Sequence, residues 1–228
     1  MTRLAVVIPA LNEAGNVRRL IGQIPPIVTE NGAIIVVDNG STDGTATEAL
    51  AAGARVIKEP RRGYGYACAA GVAAALDAEV VIFLDGDGSF DAQQIPRLLA
   101  PLQDNRVDLV LGTRMVGGTQ AGAMPPHQLF GNRLAAALIR LLYGMSLTDL
   151  GPFRAVHYPF LQSLNLREMT FGYGTEMIVK TAQRPARIVE VPVTYQKRWT
   201  GQSKVSGTIR GTMLASYTIL RVTFSSYR

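Results

Sequence analysis

The sequence predicts a three-layer α/β/α sandwich built on a mainly parallel sheet. Three observations carry that reading. Short runs rich in Val, Ile and Leu recur along the first half, at 4–8 (LAVVI), 33–38 (AIIVVD), 54–58 (ARVIK), 80–85 (VVIFLD) and 107–112 (VDLVLG). They are continuously apolar rather than alternating, as strands buried on both faces are. Helix-like segments lie between them, and strand–helix–strand order around a parallel sheet places helices on both of its sides. Finally, 228 residues that are 47% hydrophobic and 18% charged suffice for a sizeable core and exclude a disordered chain.

Taken in order, the first residues, MTRLAVVIPALNE, read as an opening strand and not as a secretory signal, because a proline and an Asn–Glu pair follow the apolar run at once. Helix starts are marked by Asp43 after NGST and by Asp91, which has Gln94 three residues on as a variant capping box. The second half is less regular. It predicts a helix within 128–143, a loop at 148–155 (TDLGPFRA), a helix near 174–184 and a strand over 187–195. Ile209, Met213, Tyr217, Leu220, Phe224 and Tyr227 then recur at helical spacing. Such a stripe packs by default on its own domain or on another subunit of a homo-oligomer, a membrane interface being the alternative. The chain is read as one domain over 1–228. Residues 1–120 form a ligand-binding half, 121–207 a second half with a mobile loop, and 208–228 an amphipathic helix.

Composition narrows the function. One cysteine, Cys68, excludes an intrachain disulfide and a thiolate metal cluster, and its alanine-rich surroundings read as core. No stretch approaches the ~18 apolar residues of a membrane span. The lone thiol permits a reducing compartment, and the expected location is cytoplasmic, free or peripheral on the inner face of the membrane. The net charge of +6 is uneven: from Met177 onward there are nine Lys or Arg and one acid, Glu190. That tail suits an anionic partner such as phosphate or an acidic membrane surface. Nucleic acid is not expected, because basic and aromatic residues do not interleave as a stacking surface needs.

The chemistry gathers at the strand ends. In open α/β sheets, ligands sit beyond the carboxyl ends of the strands. Here strand one runs into Pro9, Asn12 and Glu13, strand two into Asp38, Asn39 and Ser41, strand four into Asp85 and Asp87, and strand five into Thr113 and Arg114. A buried strand has no structural use for two carboxylates at its end. Mg²⁺ or Mn²⁺ takes oxygen ligands, so Asp85 and Asp87 can hold such a cation while diphosphate oxygens complete its shell. Gly86 between them permits a tight turn and leaves room for a bulky ligand.

With these residues in place, the chain resembles a family 2 glycosyltransferase of the GT-A fold, on the dolichyl-phosphate mannose synthase-like branch, with a Rossmann-like sheet. The matching pieces are VVIPALNE (6–13), IIVVDNGSTDGT (34–45), GYGYACAAG (63–71), VIFLDGDGS (81–89), LGTRMVGG (111–118), TDLGPFRA (148–155) and VPVTYQKRWTGQSKVSG (191–207). The resemblance implies a UDP- or GDP-linked sugar donor, a divalent metal and inversion at the anomeric carbon. It implies that Pro9, Ala10, Asn12 and Glu13 wall the nucleoside, that Asp38 and Asn39 meet the base, and that the segment with Gly63 and Gly65 approaches the donor. Asp85, Gly86 and Asp87 match the metal motif, with Asp87 the better direct ligand. Arg114 matches a basic position near the sugar or phosphates, and Arg198, Ser203 and Lys204 fall on the family's mobile acceptor loop. Many members carry a second aspartate where this chain has Asn39, and Ser-Gly-Phe-Arg where it has Gly-Pro-Phe-Arg.

A hydroxyl acceptor needs a general base, whereas a phosphate anion does not. Glu176 and Asp149 are the two candidates, with Glu176 favoured. Polyprenyl phosphate is the first expected acceptor and a small soluble hydroxyl compound the second. A sugar-phosphate nucleotidyltransferase would show a Gly-rich, Arg/Lys-bearing loop after strand one, where PALNE stands. An NAD-dependent oxidoreductase would show G-x-G-x-x-G there. A non-catalytic nucleotide-sugar-binding module is the remaining rival class.

Overall fold

The computed structural model describes residues 2–104, 106–203 and 209–225. Its centre is a seven-stranded sheet in the order β3-β2-β1-β4-β6-β5-β7. The strands are β1 (Leu4–Ala10), β2 (Gly32–Asp38), β3 (Arg55–Lys58), β4 (Val80–Phe83), β5 (Leu109–Thr113), β6 (Arg154–His157) and β7 (Ile188–Pro192). All neighbouring pairs are parallel except those of β6, which runs antiparallel to both β4 and β5. The expected mainly parallel sheet is therefore present, with one reversed strand.

Side-chain alternation divides the core in two. Val6 and Ile8 of β1 point to one side, where Val17 and Leu20 of α1 (Ala14–Ile21), Val28 of α2 (Pro26–Asn31), Ala49 of α3 (Thr45–Ala51) and Leu98 of α5 (Ile95–Leu99) cover them. Ala5 and Val7 point to the other. There they meet Cys68 of α4 (Tyr64–Ala73), Ile139 of α6 (Pro126–Tyr143), Leu161 of α7 (Tyr158–Ser163) and Met177 of α8 (Tyr173–Ala182). Both faces of the central strands are thus dry, which explains their unbroken apolar runs. The last helix, α9 (Ile209–Ser225), packs against α6 and α8.

Three local expectations need correction. Residues 148–155 are not all loop, since Arg154 and Ala155 open β6 and pair with Phe83 and Ile82. The variant capping box is not formed either. Asp91 accepts from the Gln93 amide, but Gln94 turns away and exchanges two hydrogen bonds with Thr194, 2.9 and 2.7 Å long. That pair ties the segment after β4 to the chain following β7. The strand expected over 187–195 is confined to 188–192, and its continuation crosses the sheet's ligand edge.

Candidate active site

Parallel register brings the ends of β1, β2, β4 and β5 to one edge, with the chain entering β6 at the same edge. Each polar strand end has a different local reason for its shape.

At β4, Asp85 and Asp87 stand half-buried on the turn after the strand. Gly86 faces Pro9 and Ala10, and a Cβ there would lie 3.3 Å from the Pro9 carbonyl oxygen. Asp87 Oδ1 accepts from the Ser89 amide and hydroxyl at 3.0 and 2.6 Å, and Oδ2 lies 3.9 Å from Arg198. Asp85 accepts one 3.3 Å bond, from the Tyr64 hydroxyl. Removal of Asp85 from water, and then the adjacent charge of Asp87, push its carboxyl up to about 7. Burial, followed by the charge of Asp85, likewise pushes the Tyr64 phenol well above its ordinary value. No group of three or more His, Cys, Asp or Glu gathers to hold a metal among the described residues. A hard cation here would take its two carboxylates from the protein and further oxygens from a ligand, which is the donor set that suits Mg²⁺ or Mn²⁺.

The end of β5 is organised in the opposite way. Arg114 lies in a bidentate grip with Asp149, through Nε and Nη2 at 2.8 and 2.6 Å, and its amide donates to the same carboxylate at 2.7 Å. Both side chains are buried. Burial alone would lower the guanidinium's pKa, but the hydrogen bonds and charge of Asp149 hold it raised. The Arg114 guanidinium also stacks 5.1 Å above the Tyr195 ring. The loop carrying Asp149 is held on every side. Glu190 accepts from the Thr148 and Asp149 amides, Asn132 bonds both Thr148 and Leu150, and Arg154 donates to the Leu150 and Gly151 carbonyls. Arg154 is itself buried without a carboxylate partner among its hydrogen bonds, and burial pushes its guanidinium below the ordinary value.

Asp38 and Asn39, adjacent at the end of β2, differ in use. Asp38 accepts from the Ser41 amide through Oδ1. Asn39 donates to the Glu59 and Arg61 carbonyls and accepts from the Gly63 amide, so its side chain fastens the 59–63 turn to the strand. At β1, Asn12 adopts a φ of 54° and accepts from the Thr42 amide. Glu13 binds Asn16 and Arg198, each at 2.6 Å.

Gly63 and Gly65 serve close packing. Cβ atoms there would lie 2.5 Å from the main chain of Met169 and of Glu168–Met169 respectively. Glu176 shapes that same neighbouring segment. Its Oε2 accepts from the Arg167 and Glu168 amides at 2.8 and 2.7 Å, and its Oε1 pairs with Lys180 at 2.8 Å. Neither Asp149 nor Glu176, the two base candidates, presents an unengaged carboxylate.

The chain after β7 folds back over the Asp85–Asp87 turn. Gln196 donates to the Ser89 and Gly88 carbonyls, the Trp199 amide donates to the Asp87 main-chain carbonyl, and Arg198 bridges the Glu13 and Asp87 carboxylates. The Trp199 ring covers Gly88 on one side and receives the Arg19 guanidinium at 4.1 Å. Ser203 ends this described stretch; Lys204 lies outside the described residues. Tyr64, Tyr195 and Gln196 were not singled out from the sequence, since an ordinary Tyr or Gln shows no partner until the fold supplies one.

The mainly parallel sheet, with helices on both faces and its polar ligand edge, has the architecture of the GT-A glycosyltransferase fold. The model of glycosyl transferase family 2 matches residues 5–168, and the chain belongs to that family. It is 38% identical over 213 residues to an uncharacterised glycosyltransferase of Mycobacterium tuberculosis, covering 93% of this chain and 94% of that one. It is 31% identical over 231 residues to the undecaprenyl-phosphate mannosyltransferase of Micrococcus luteus, covering 95% and 93%. Among solved structures, glucosyl-3-phosphoglycerate synthase of Mycobacterium tuberculosis, in complex with Mn²⁺, UDP-glucose and phosphoglyceric acid, superposes with a TM-score of 0.80. The match covers 99% of this chain and 79% of that one at 25% identity.

Proposed function

We propose that this glycosyltransferase moves one sugar from a nucleotide-sugar donor to polyprenyl phosphate, with inversion, using a divalent cation held at Asp85 and Asp87. The observation that carries the acceptor assignment is the engagement of both base candidates: Asp149 is spent on Arg114, and Glu176 on two amides and Lys180. A hydroxyl nucleophile would need one of them free, whereas a phosphate oxygen attacks as the anion it already is. The undecaprenyl-phosphate mannosyltransferase relative supports the same choice.

In this reading Asp38 offers its carboxylate to the base, and Pro9, Ala10, Asn12 and Glu13 form the nucleoside wall. A cation held by Asp85 and Asp87 would supply positive charge against the departing diphosphate. Arg114 stays charged and fixed by Asp149, so it faces the incoming phosphate without rearranging. An acceptor oxygen forms its bond to the anomeric carbon as the carbon–oxygen bond to the diphosphate breaks, and the electron pair departs with the diphosphate. A single displacement of this kind inverts the centre. Arg198, now on Glu13 and Asp87, transfers to the diphosphate charge, and Ser203 and Lys204 belong to the covering segment. A small phosphorylated hydroxyl acceptor is the second reading, favoured by the phosphoglyceric acid in the structural neighbour.

The test is transfer from UDP- and GDP-sugars to undecaprenyl phosphate or to phosphoglycerate, each with Mn²⁺ or EDTA. Metal-dependent product on the lipid alone supports the proposal. Product on phosphoglycerate alone overturns the acceptor, and equal turnover in EDTA overturns the metal.

A further inference from the structure

Helices α6 and α9 pack on each other, with the Tyr143 hydroxyl donating to the Thr223 carbonyl, yet both turn apolar residues outward. On α6 the exposed stripe repeats at helical spacing through Phe130, Leu134 and Leu141, with Phe130 70% and Leu141 78% accessible. On α9 it runs through Met213, Tyr217 and Phe224, all more than half accessible. Helices on a protein that stands alone in water show the reverse pattern, with polar residues on this face.

The charges on this face have one sign. Arg133 and Arg140 share the outward side of α6, and neither has an ion-pair or hydrogen-bond partner for its guanidinium among the described residues. Neither helix contains an Asp or Glu. Between the two arginines lies a cavity of about 700 Å³, with Ala137, Leu141, Met115 and Leu147 among its lining residues and no acid among them. Met115 and Thr148, also in its wall, are the immediate neighbours of Arg114 and Asp149.

We infer that the α6–α9 face docks the enzyme onto an anionic lipid bilayer, with Arg133 and Arg140 receiving phosphate headgroups and the apolar stripes entering the interface. Amphipathic helices bind such surfaces through apolar burial and basic side chains together. A second copy of the chain is a poorer occupant. A two-fold contact must be self-complementary, and this face would set unpaired arginines against their own kind with no acid on either helix to answer them. The inference deepens the polyprenyl-phosphate reading, on which it rests for its purpose: the cavity leads from the lipid side to the loop that holds Arg114.

The test uses the full chain, without donor, metal or acceptor, co-sedimented with vesicles of phosphatidylcholine or of phosphatidylcholine mixed with phosphatidylglycerol. Binding is expected to the mixed vesicles and to weaken with salt. Arg133→Gln with Arg140→Gln should lower the partition about 30-fold, taking about fivefold per basic residue near an anionic surface. Phe130→Ser with Leu134→Ser, also at exposed positions, should lower it independently, and unchanged melting temperatures verify that both variants fold. Equal binding to the two vesicle types, no binding to either, insensitivity to both variants, or a stable dimer that the same variants dissociate would each overturn the inference. A chain that binds mixed vesicles but transfers no sugar to polyprenyl phosphate would sink the acceptor assignment and leave this one standing.

Discussion

The ends of β4 and β5 are two answers to the same electrostatic problem. Each strand delivers a charged group to the ligand edge, and only one is neutralised by the fold. Arg114 meets Asp149 in a buried two-pronged pair, whereas Asp85 and Asp87 stand across one glycine from each other with only a 3.9 Å ion pair from Asp87 to Arg198, which Glu13 shares. The first is a finished part of the scaffold. In the proposed function the second takes its counter-charge from a bound cation, whereas the first already holds Arg114 in place for the acceptor phosphate.

The largest expected effect is on the finished side. Asp149→Asn leaves a buried guanidinium without its counter-charge and should cost about 3–5 kcal/mol, read as a lower urea midpoint at unchanged slope. A loss under 1 kcal/mol would mean that Glu190 and Asn132 hold the loop unaided. On the open side, Asp87→Asn keeps an oxygen for Ser89 and removes one charge. Metal-dependent nucleotide binding should fall about 100-fold, roughly 2.7 kcal/mol, while stability moves by less than about 1 kcal/mol. Calorimetric titration of UDP and GDP with Mn²⁺ checks this, and undiminished binding removes Asp87 from the ligand set.

A third change probes what joins the two sides. Gly88 has a φ of 72°, and a Cβ there would sit 2.4 Å from the Trp199 ring. Gly88→Ala should displace the ring and cost about 1–3 kcal/mol. Trp199 is the sole tryptophan, so its fluorescence reports the displacement directly, and an unaltered spectrum would show that the segment is held by Gln196 instead. The smallest effect belongs to Glu59, another carboxylate matched within the fold. Hydrogen bonds from Arg61 hold its carboxyl at about 2, below the ordinary 4.5. Its pair therefore adds stability that is complete above pH 4.5 and fades as pH falls toward 2. Arg61 is largely exposed, so the gain is small. Glu59→Gln should flatten stability against pH within that window and leave the slope above it unchanged.

The same contrast explains what could be read from the sequence. Strands buried on both faces announce themselves as unbroken apolar runs, and β1, β2, β4 and β5 were legible for that reason. β6 was not, because Arg154 and His157 bound a four-residue strand inside a polar motif and its identity depends on pairing with Phe83 and Leu111. Asp85 and Asp87 stood out because two carboxylates one residue apart follow an apolar strand with no basic residue nearby in sequence. Asn39, Gly63 and Gly65 are ligand residues, and Glu176 a base candidate, by what the family resemblance implies. Their contacts with residues 59–63 and 167–169 became visible only once distant segments were adjacent in space. Gln94 is the extreme case, since its partner Thr194 lies one hundred residues further on.

The reversal of β6 reaches beyond the sheet. Because that strand enters from the ligand edge, residues 145–153 arrive there between the acidic turn and Arg114, two strand spacings or about 9.5 Å apart. Their anchors, Asn132, Glu190 and Arg154, all stand on neighbouring regular elements. The segment is thus pinned at its centre, over 148–151, by one helix and two strands. A change within 148–151 therefore reaches Arg114 through Asp149, although that arginine stands at the end of another strand.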